Sequence, residues 1–311
     1  MSGQIVVLSG GVGGAKLVLG LMHAIAADKV TAIVNTGDDF THLGLWVSPD
    51  IDTLLYTLSG KANAVQGWGR EGESWNFMAA VRSLGGAGWF LLGDGDLALH
   101  VLRTDRLKQG ETRSAIIADF AAAWGIRMKI LPMSDDPVGT QVETAEGWLD
   151  FQHYFVRERC GPAVRSIRFV GADAARPAPG VLDAIGDEGC RAIVIAPSNP
   201  YLSVDPILAV PGLRQALQAA KAPVVAVSPI VGGAAVKGPT AKLMRELGLA
   251  VTPGSIARHY EELIDGLLVD ERDPPESFAV PTARADTLMK TLDDRVRVAR
   301  AALALADSLK R

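Results

Sequence analysis

Short apolar runs that each end at a turn, with helical patterns between them, recur along the chain. They lie at residues 4–8, 30–34, 89–92, 128–131, 192–195 and 224–227. This alternation predicts parallel β-strands connected by helices. The runs are rich in Val and Ile and show little polar alternation, which is typical of strands covered by helices on both faces. The sequence therefore predicts an α/β fold with a doubly wound, mostly parallel, Rossmann-like sheet.

The middle of the chain departs from this pattern. Helical spacing predicts a smaller helical lobe beside the sheet, at residues 74–84, 97–108 and 112–124. Two segments on either side of a turn at residues 145–147 predict an antiparallel β-hairpin flap, at residues 142–144 and 148–156. A long helix is expected from residue 285. We expect a single α/β unit over residues 1–311, with a core at about 1–60 and 165–311 and an inserted lobe at about 61–164.

Charge and cysteine content exclude several classes of protein. The chain has 31 Lys plus Arg against 35 Asp plus Glu and no basic run, which argues against a nucleic-acid partner. Cys160 and Cys190 form neither a C-x-x-C pair nor a His/Cys metal spacing. The first apolar run is too short for a secretory signal, and no run approaches the ~20 residues that span a bilayer. We expect a cytoplasmic protein without a membrane partner.

A glycine-rich turn follows the first predicted strand and leads into a helix. Its glycines are Gly10, Gly11, Gly13 and Gly14. Glycines let backbone amides approach an anion, and the helix N-terminus adds a favourable dipole, so the turn favours phosphate binding. Lys16 stands where a dinucleotide fingerprint has its third glycine, and the spacing also differs from a P-loop. A turn that serves only strand-to-helix geometry stays open.

Four carboxylates cluster after the second predicted strand, at Asp38, Asp39, Asp50 and Asp52. Open α/β sheets bind ligands at the carboxyl ends of their strands, and carboxylates are ligands of hard cations, so this group predicts a Mg²⁺ site. Mg²⁺ would neutralise a diphosphate that an alcohol attacks. The alternative for Asp50 is that it caps a helix beginning at Ile51.

Three further loops follow predicted strands and carry polar side chains. Asp96 and His100 belong to the first, where Asp96 could instead cap a helix and His100 could serve packing. Ser198 and Asn199 belong to a proline-bounded loop that could contact a base or phosphate, and Lys237 to a glycine-rich loop with the same potential. Both of the latter loops could also be plain connections.

Together, five motifs in this order resemble those of the 2-phospho-L-lactate transferase family: G-G-V-G-G-A-K, N-T-G-D-D, S-P-D-I-D-T-L-L-Y, A-P-S-N-P-Y-L-S-V-D-P and S-P-I-V-G-G-A-A-V-K-G. The resemblance implies transfer of a phospho-acid from a guanosine-diphosphate-activated donor to the deazaflavin Fo, with release of GMP, in coenzyme F420 biosynthesis. It also implies a divalent metal and a homodimer. The donated acid could be phospholactate, phosphoenolpyruvate or phosphoglycerate.

The resemblance also assigns roles to residues. It implies metal ligands at Asp38, Asp39 and Asp50, with Asp52 a weaker candidate. We assign catalysis to Asp38 and Asp50. We assign nucleotide or substrate contacts to the following residues: Gly10, Gly11, Gly13, Gly14, Asp50, Asp96, Ser198, Asn199 and Lys237.

One position departs from the family pattern. Where the family shows G-D-R-D-L-A-T-H, this chain has Gly95 in place of the arginine. The resemblance places that arginine beside the deazaflavin, so a positive charge is lost there. Arg103 or Arg106, a turn further on, would have to supply it. The departure leaves the affinity for the acceptor and its identity open.

Two other functions are compatible with parts of the pattern. A non-catalytic, nucleotide-sugar-binding regulator of the gluconeogenesis-factor type would share the glycine turn and the fold type. The acids of S-P-D-I-D-T argue against it, because ligand sensing needs no metal cluster. A nicotinamide dehydrogenase rests on the G-x-G turn alone, because the third glycine is absent.

Overall fold

Seven parallel strands form the centre of the protein. The computed structural model describes residues 3–236 and 238–309. With strands numbered along the chain, the central ones are β1 (Gln4–Ser9), β2 (Val30–Val34), β5 (Lys129–Pro132), β9 (Cys190–Ile195), β10 (Val224–Val227), β13 (Gly266–Asp270) and β14 (Thr282–Ala285). Their order is β14-β13-β10-β9-β1-β2-β5, and every neighbouring pair is parallel.

Apolar clusters cover both faces of this sheet. In β1, Val6 and Leu8 contribute to one cluster while Ile5 and Val7 contribute to the other. This is the alternation that the pleat of a strand imposes. The helices of the described residues are α1 (Gly11–Ala24), α2 (Pro49–Leu58), α3 (Asn76–Ser83), α4 (Leu97–Lys108), α5 (Arg113–Ala123), α6 (Val181–Gly186), α7 (Asp205–Ala209), α8 (Leu213–Ala219), α9 (Thr240–Glu246), α10 (Pro253–His259) and α11 (Leu292–Ser308). The predicted doubly wound fold is confirmed.

Smaller antiparallel sheets surround the central one. They are formed by β3 (Phe40–His42) with β4 (Leu45–Val47), by β6 (Gly139–Thr144) with β7 (Gly147–Asp150) and β8 (Ser166–Val170), and by β11 (Ile230–Val231) with β12 (Ala234–Ala235). The predicted hairpin is thus present as β6 and β7. Its second strand is shorter than expected, because the chain turns helical from Phe151.

The run at residues 89–92 is not a strand, so this prediction was wrong. Its apolar side chains pack against side chains of β3 and β4 without forming a strand themselves. The ring of Trp89 lies 5.0 Å from that of His42, and the ring of Phe90 lies 4.8 Å from that of Phe40. Leu92 is fully buried in a small apolar cluster with Val47 and Met78.

The C-terminal part also differs from expectation. The last helix begins at Leu292, where Thr291 accepts a hydrogen bond from the N–H of Asp294 and the Asp294 carboxylate accepts one from the N–H of Thr291. This capping box fixes the start of the helix. Residue 285 instead ends strand β14.

The division into a core and an inserted lobe stays a prediction. Strand β5, within residues 61–164, pairs with β2 at the edge of the central sheet. No helix within the part of the chain that the structure describes is long and apolar enough to cross a membrane.

Candidate active site

Three loops meet where β9, β1 and β2 end, at the carboxyl edge of the central sheet. They carry Ser198, the glycine turn and Asp38, in that order across the sheet. This is where open α/β sheets bind ligands. Lys237 lies outside the described residues, so its predicted contact stays a prediction.

The glycine turn packs closely on the loop after β9. The Gly10 N–H donates to Ser198 Oγ at 3.1 Å, and Ser198 Oγ donates to the Gly10 carbonyl at 2.7 Å. A Cβ on Gly13 would lie 2.5 Å from the Pro197 carbonyl oxygen, and one on Gly14 would lie 2.7 Å from Ser198 Oγ. The side chains that these glycines lack are therefore excluded by neighbouring atoms.

Asp50 occupies the N-terminus of α1. It lies in the first turn of α2, yet its Oδ1 accepts a hydrogen bond from the Gly11 N–H at 2.8 Å. The interpretation that Asp50 caps its own helix is therefore not what the structure shows. A Cβ on Gly10 would come within 2.6 Å of Asp50 Oδ2. The Asp50 carboxylate thus lies where the Gly11 N–H and the dipole of α1 favour a negative charge.

Asp38 and Asp50 lie on either side of Asn35. The Asn35 side-chain amide donates to Asp38 Oδ1 at 3.1 Å and to Asp50 Oδ2 at 2.9 Å, and both carboxylates are buried. Burial, and then repulsion from Asp50, raises the pKa of Asp38 well above its usual value. Burial raises the pKa of Asp50 to about 6, against hydrogen bonds from Asn35 and Gly11.

The same two carboxylates fit a hard divalent cation. They are close enough to repel each other and share one neutral donor, so a cation between them would relieve the repulsion. Asn35 begins the motif N-T-G-D-D, but no role was predicted for it. Its position directly after a buried strand was the available signal.

Asp39 points into a different environment. Its Oδ2 accepts from Trp46 Nε1 at 3.0 Å and from Ser48 Oγ at 2.9 Å. Burial raises its pKa to about 6, while the positive charges of Arg113 and Arg103 act in the other direction. Within residues 3–236 and 238–309, no group of three or more His, Cys, Asp and Glu side chains is placed to hold a metal ion. The metal set of three acids stays a prediction.

Asp96 and His100 lie in a buried network between α2 and α4. Asp96 accepts a hydrogen bond from the Tyr56 hydroxyl, and its Oδ2 lies 3.1 Å from His100 Nε2. On the other side, Nδ1 of His100 lies 3.7 Å from Asp52, which forms a two-point ion pair with Arg103. Burial raises the pKa of Asp96, but His100 and Tyr56 outweigh it, so this pKa is lowered. The predicted substrate contact of Asp96 remains untested.

The side-chain oxygen of Asn199 is hydrogen-bonded within its own loop, but the side-chain nitrogen is not. Its Oδ1 accepts from the N–H groups of Tyr201 and Leu202, at 3.0 and 3.2 Å. Its buried Nδ2 has no hydrogen-bond partner among the described residues. The Asn199 amide is thus buried without a partner in the described part of the chain, whereas the Ser198 hydroxyl is occupied by Gly10, and the predicted ligand contacts of both residues stay predictions.

Comparison with known proteins identifies the family. The model of the family described as 2-phospho-L-lactate transferase CofD matches residues 5–307. The chain belongs to this family. Membership confirms the expected resemblance and makes this CofD-family chain an enzyme, a transferase of coenzyme F420 biosynthesis.

Relatives of this CofD-family chain carry two names. Phosphoenolpyruvate transferases from Kitasatospora aureofaciens and Streptomyces griseus subsp. griseus are 43% and 44% identical, over 99% of this chain and 99% of their own. A 2-phospho-L-lactate transferase from Methanosarcina mazei is 38% identical, over 93% of this chain and 96% of its own. A UPF0052 family protein from Bacillus halodurans has been solved twice, with TM-scores of 0.62 and 0.65 at 19% and 20% identity. Both structures cover 97% of this chain and 100% of their own, and they show the shared fold.

Proposed function

We propose that the protein transfers a phospho-acid from a guanosine-diphosphate-linked donor to the hydroxyl of the deazaflavin Fo and releases GMP. The carrying observation is the pair of buried carboxylates, Asp38 and Asp50, at the N-terminus of α1. Family membership supports the reaction class. The acceptor, the donor and the metal are the parts that this proposal adds.

The proposed reaction exchanges a phosphoanhydride bond of the donor for a phosphate ester bond to the acceptor. The acceptor oxygen forms a bond to the phosphorus that carries the acid, and the bond from that phosphorus to the oxygen of the GMP phosphate breaks. The electron pair of the broken bond leaves with GMP. The hydroxyl proton goes to Asp38 or Asp50, through a carboxylate oxygen that does not bind the metal.

A diphosphate at the glycine turn would meet the Asp50 carboxylate, which already accepts from Gly11. Two anions in one buried place require a cation. Asp38 and Asp50 would hold Mg²⁺, an ion that commonly combines one or two carboxylates with substrate phosphates. When bound, Mg²⁺ would neutralise charge on the diphosphate. Asn35 would keep the two carboxylates in place.

For the donated acid, phosphoenolpyruvate is our first candidate. Two relatives with that name are 43% and 44% identical, against 38% for the Methanosarcina mazei 2-phospho-L-lactate transferase. Since the three acids differ by few atoms, the rates with the three donors have to be compared side by side.

The test is incubation of purified protein with Fo, Mg²⁺ and each of three donors, which carry phosphoenolpyruvate, phospholactate or phosphoglycerate. GMP release and the mass of the deazaflavin are measured with and without EDTA. We expect an EDTA-sensitive product, formed fastest from the phosphoenolpyruvate donor. Product that is equally abundant in EDTA contradicts the metal. Nucleotide binding without product from any donor contradicts the enzyme and favours the regulator.

A further inference from the structure

The turn at residues 93–96 lies against the segment that precedes α3. A Cβ built on Gly95 would overlap Nη1 of Arg70 and lie 2.8 Å from its Cζ. The guanidinium of Arg70 thus fills the space in which a side chain at position 95 would begin. Only glycine at this position is compatible with Arg70 as it stands.

Two carboxylates tie this segment and the turn together. Glu73, whose side chain is 5% exposed, accepts from the Gly95 N–H at 2.6 Å and lies 3.5 Å from Nη1 of Arg70. In the other direction, Asp94 accepts from Ser74 Oγ at 2.7 Å and from the Phe77 N–H at 3.0 Å. These hydrogen bonds hold the segment after Arg70 against the turn that contains Gly95.

Arg70 retains most of its binding capacity. Its side chain is 33% exposed, and its contact with Glu73 is longer than a hydrogen bond. In the described parts of the chain, residues 3–236 and 238–309, its guanidinium meets no hydrogen-bond acceptor. A guanidinium has five donors in a planar fork that matches an oxyanion.

The arginines that sequence reasoning favoured are already engaged. Arg103 is buried and paired with Asp52. Arg106 pairs with Glu111 at 2.5 Å and with Asp119 at 2.6 Å. Neither is available to replace an arginine at position 95, so that expectation is not supported.

We propose that Arg70 binds an oxyanion of the acceptor and replaces, from another part of the chain, the arginine that the family pattern has at position 95. This inference rests on the proposed function. The acceptor is the favoured source of the anion because Trp89 and Phe90, which suit a flat aromatic ring, lie immediately before the turn in the chain and pack together, with ring centroids 5.8 Å apart. Arg70 lies at the turn that contains Gly95 and not at the glycine turn before α1, where the donor diphosphate is proposed to bind.

The test exchanges the two positions. In Arg70→Ala we expect the KM for Fo to rise about tenfold, the effect of losing one charge-assisted hydrogen bond, with the donor KM unchanged. Arg70→Lys keeps the charge without the fork and gives an intermediate KM. In the double variant R70A/G95R, the new arginine restores the KM for Fo to within about threefold of the wild type. In G95R alone the new Cβ takes the space of Arg70 Nη1, so we expect the Arg70 side chain to move away from the turn with little change in thermal stability.

Arg82→Ala is the matched control, because Arg82 is an exposed arginine of α3 in the same region. We expect it to change neither KM. Fluorescence titration of Fo, which needs no turnover, accompanies each assay. If the wild type is active and Arg70→Ala has the same KM and affinity for Fo, the role of Arg70 is overturned. A rise in the donor KM alone overturns the acceptor assignment. A wild type that neither turns over nor binds Fo overturns the proposed function and this inference with it, whereas Arg70-dependent Fo binding without turnover supports the inference alone.

Discussion

Asp38 and Asp50 accept hydrogen bonds from the same side-chain nitrogen, Nδ2 of Asn35, at 3.1 and 2.9 Å. The two carboxylates are 3 and 15 residues from Asn35 in sequence and come from the loop after β2 and from the first turn of α2. One neutral donor cannot compensate two negative charges, so the pair is destabilising unless a proton or a cation joins it.

Asp50→Asn should abolish transfer and stabilise the metal-free protein. The asparagine keeps an oxygen for the Gly11 N–H, but its amide nitrogen cannot accept from Asn35 as Oδ2 does, so the fold persists with one hydrogen bond fewer. A ligand and proton acceptor is also lost. We expect kcat to fall at least ~100-fold. The pKa of Asp50 is raised to about 6 in the folded protein, so its charged form opposes folding at pH 7. The free energy of unfolding in EDTA should therefore rise by roughly 1 kcal/mol.

GMP release and urea unfolding measure the two effects. Asp183→Asn is the control, since Asp183 is an exposed aspartate of α6. It should change neither quantity. A variant of Asp50 that still transfers the acid at the wild-type rate would remove Asp50 from the mechanism.

Asp52→Asn should be strongly destabilising. Asp52 and Arg103 form a buried two-point ion pair, and His100 lies beside it. Removing one charge leaves the other buried and uncompensated, which costs ~3–5 kcal/mol. In the double variant D52L/R103M, both charges are gone and much of this loss should be recovered. Urea unfolding of the wild type, D52L, R103M and D52L/R103M gives the coupling energy, and a cost under about 1 kcal/mol for Asp52→Asn contradicts the buried pair.

Four central strands that are buried on both faces were predicted, whereas β13, whose five residues are all buried, was not. β1, β2, β9 and β10 have uninterrupted apolar sequences because helices cover both of their sides. The edge strand β14 was not predicted, since its sequence T-A-R-A is half exposed and carries no apolar pattern. The run at residues 89–92 is as apolar as a strand, and local composition does not distinguish a strand from an aromatic cluster.

For the site, the sequence predicted which loops meet but not how their side chains point. Parallel strands end at one edge, so the proximity of the glycine turn, Asp38 and Ser198 followed from the fold. Asp38 and Asp39 are adjacent, yet one faces Asn35 and the other faces Trp46 and Ser48. Such directions depend on loop backbone angles and distant packing partners, which a single sequence does not reveal.

Gly10→Ala should damage both stability and transfer. Its new methyl group would lie 2.6 Å from Asp50 Oδ2 and 2.6 Å from Ser203 Cβ, so the carboxylate or the loop has to move. Such overpacking costs ~1–3 kcal/mol and displaces Asp50 from its place. Gly186→Ala is the matched control, because no atom lies within 4 Å of the methyl group it adds at the end of α6. Equal unfolding free energies and equal rates for the two variants contradict this account of the turn.

Asp270 should stabilise the folded protein at neutral pH and lose this effect in acid, whereas the charged form of Asp50 opposes folding at neutral pH. Burial raises the pKa of Asp270, but hydrogen bonds from Arg272 and from the N–H and hydroxyl of Thr287 outweigh it, so the folded pKa lies below the usual value. The stabilising contribution is therefore complete above the unfolded pKa of about 4 and is lost as pH falls through the lower, folded value. We expect Asp270→Asn to cost about 1–3 kcal/mol at pH 7 and progressively less below about pH 4. Urea unfolding of both proteins between pH 7 and pH 3 measures this difference, and a gap that widens in acid contradicts the assignment.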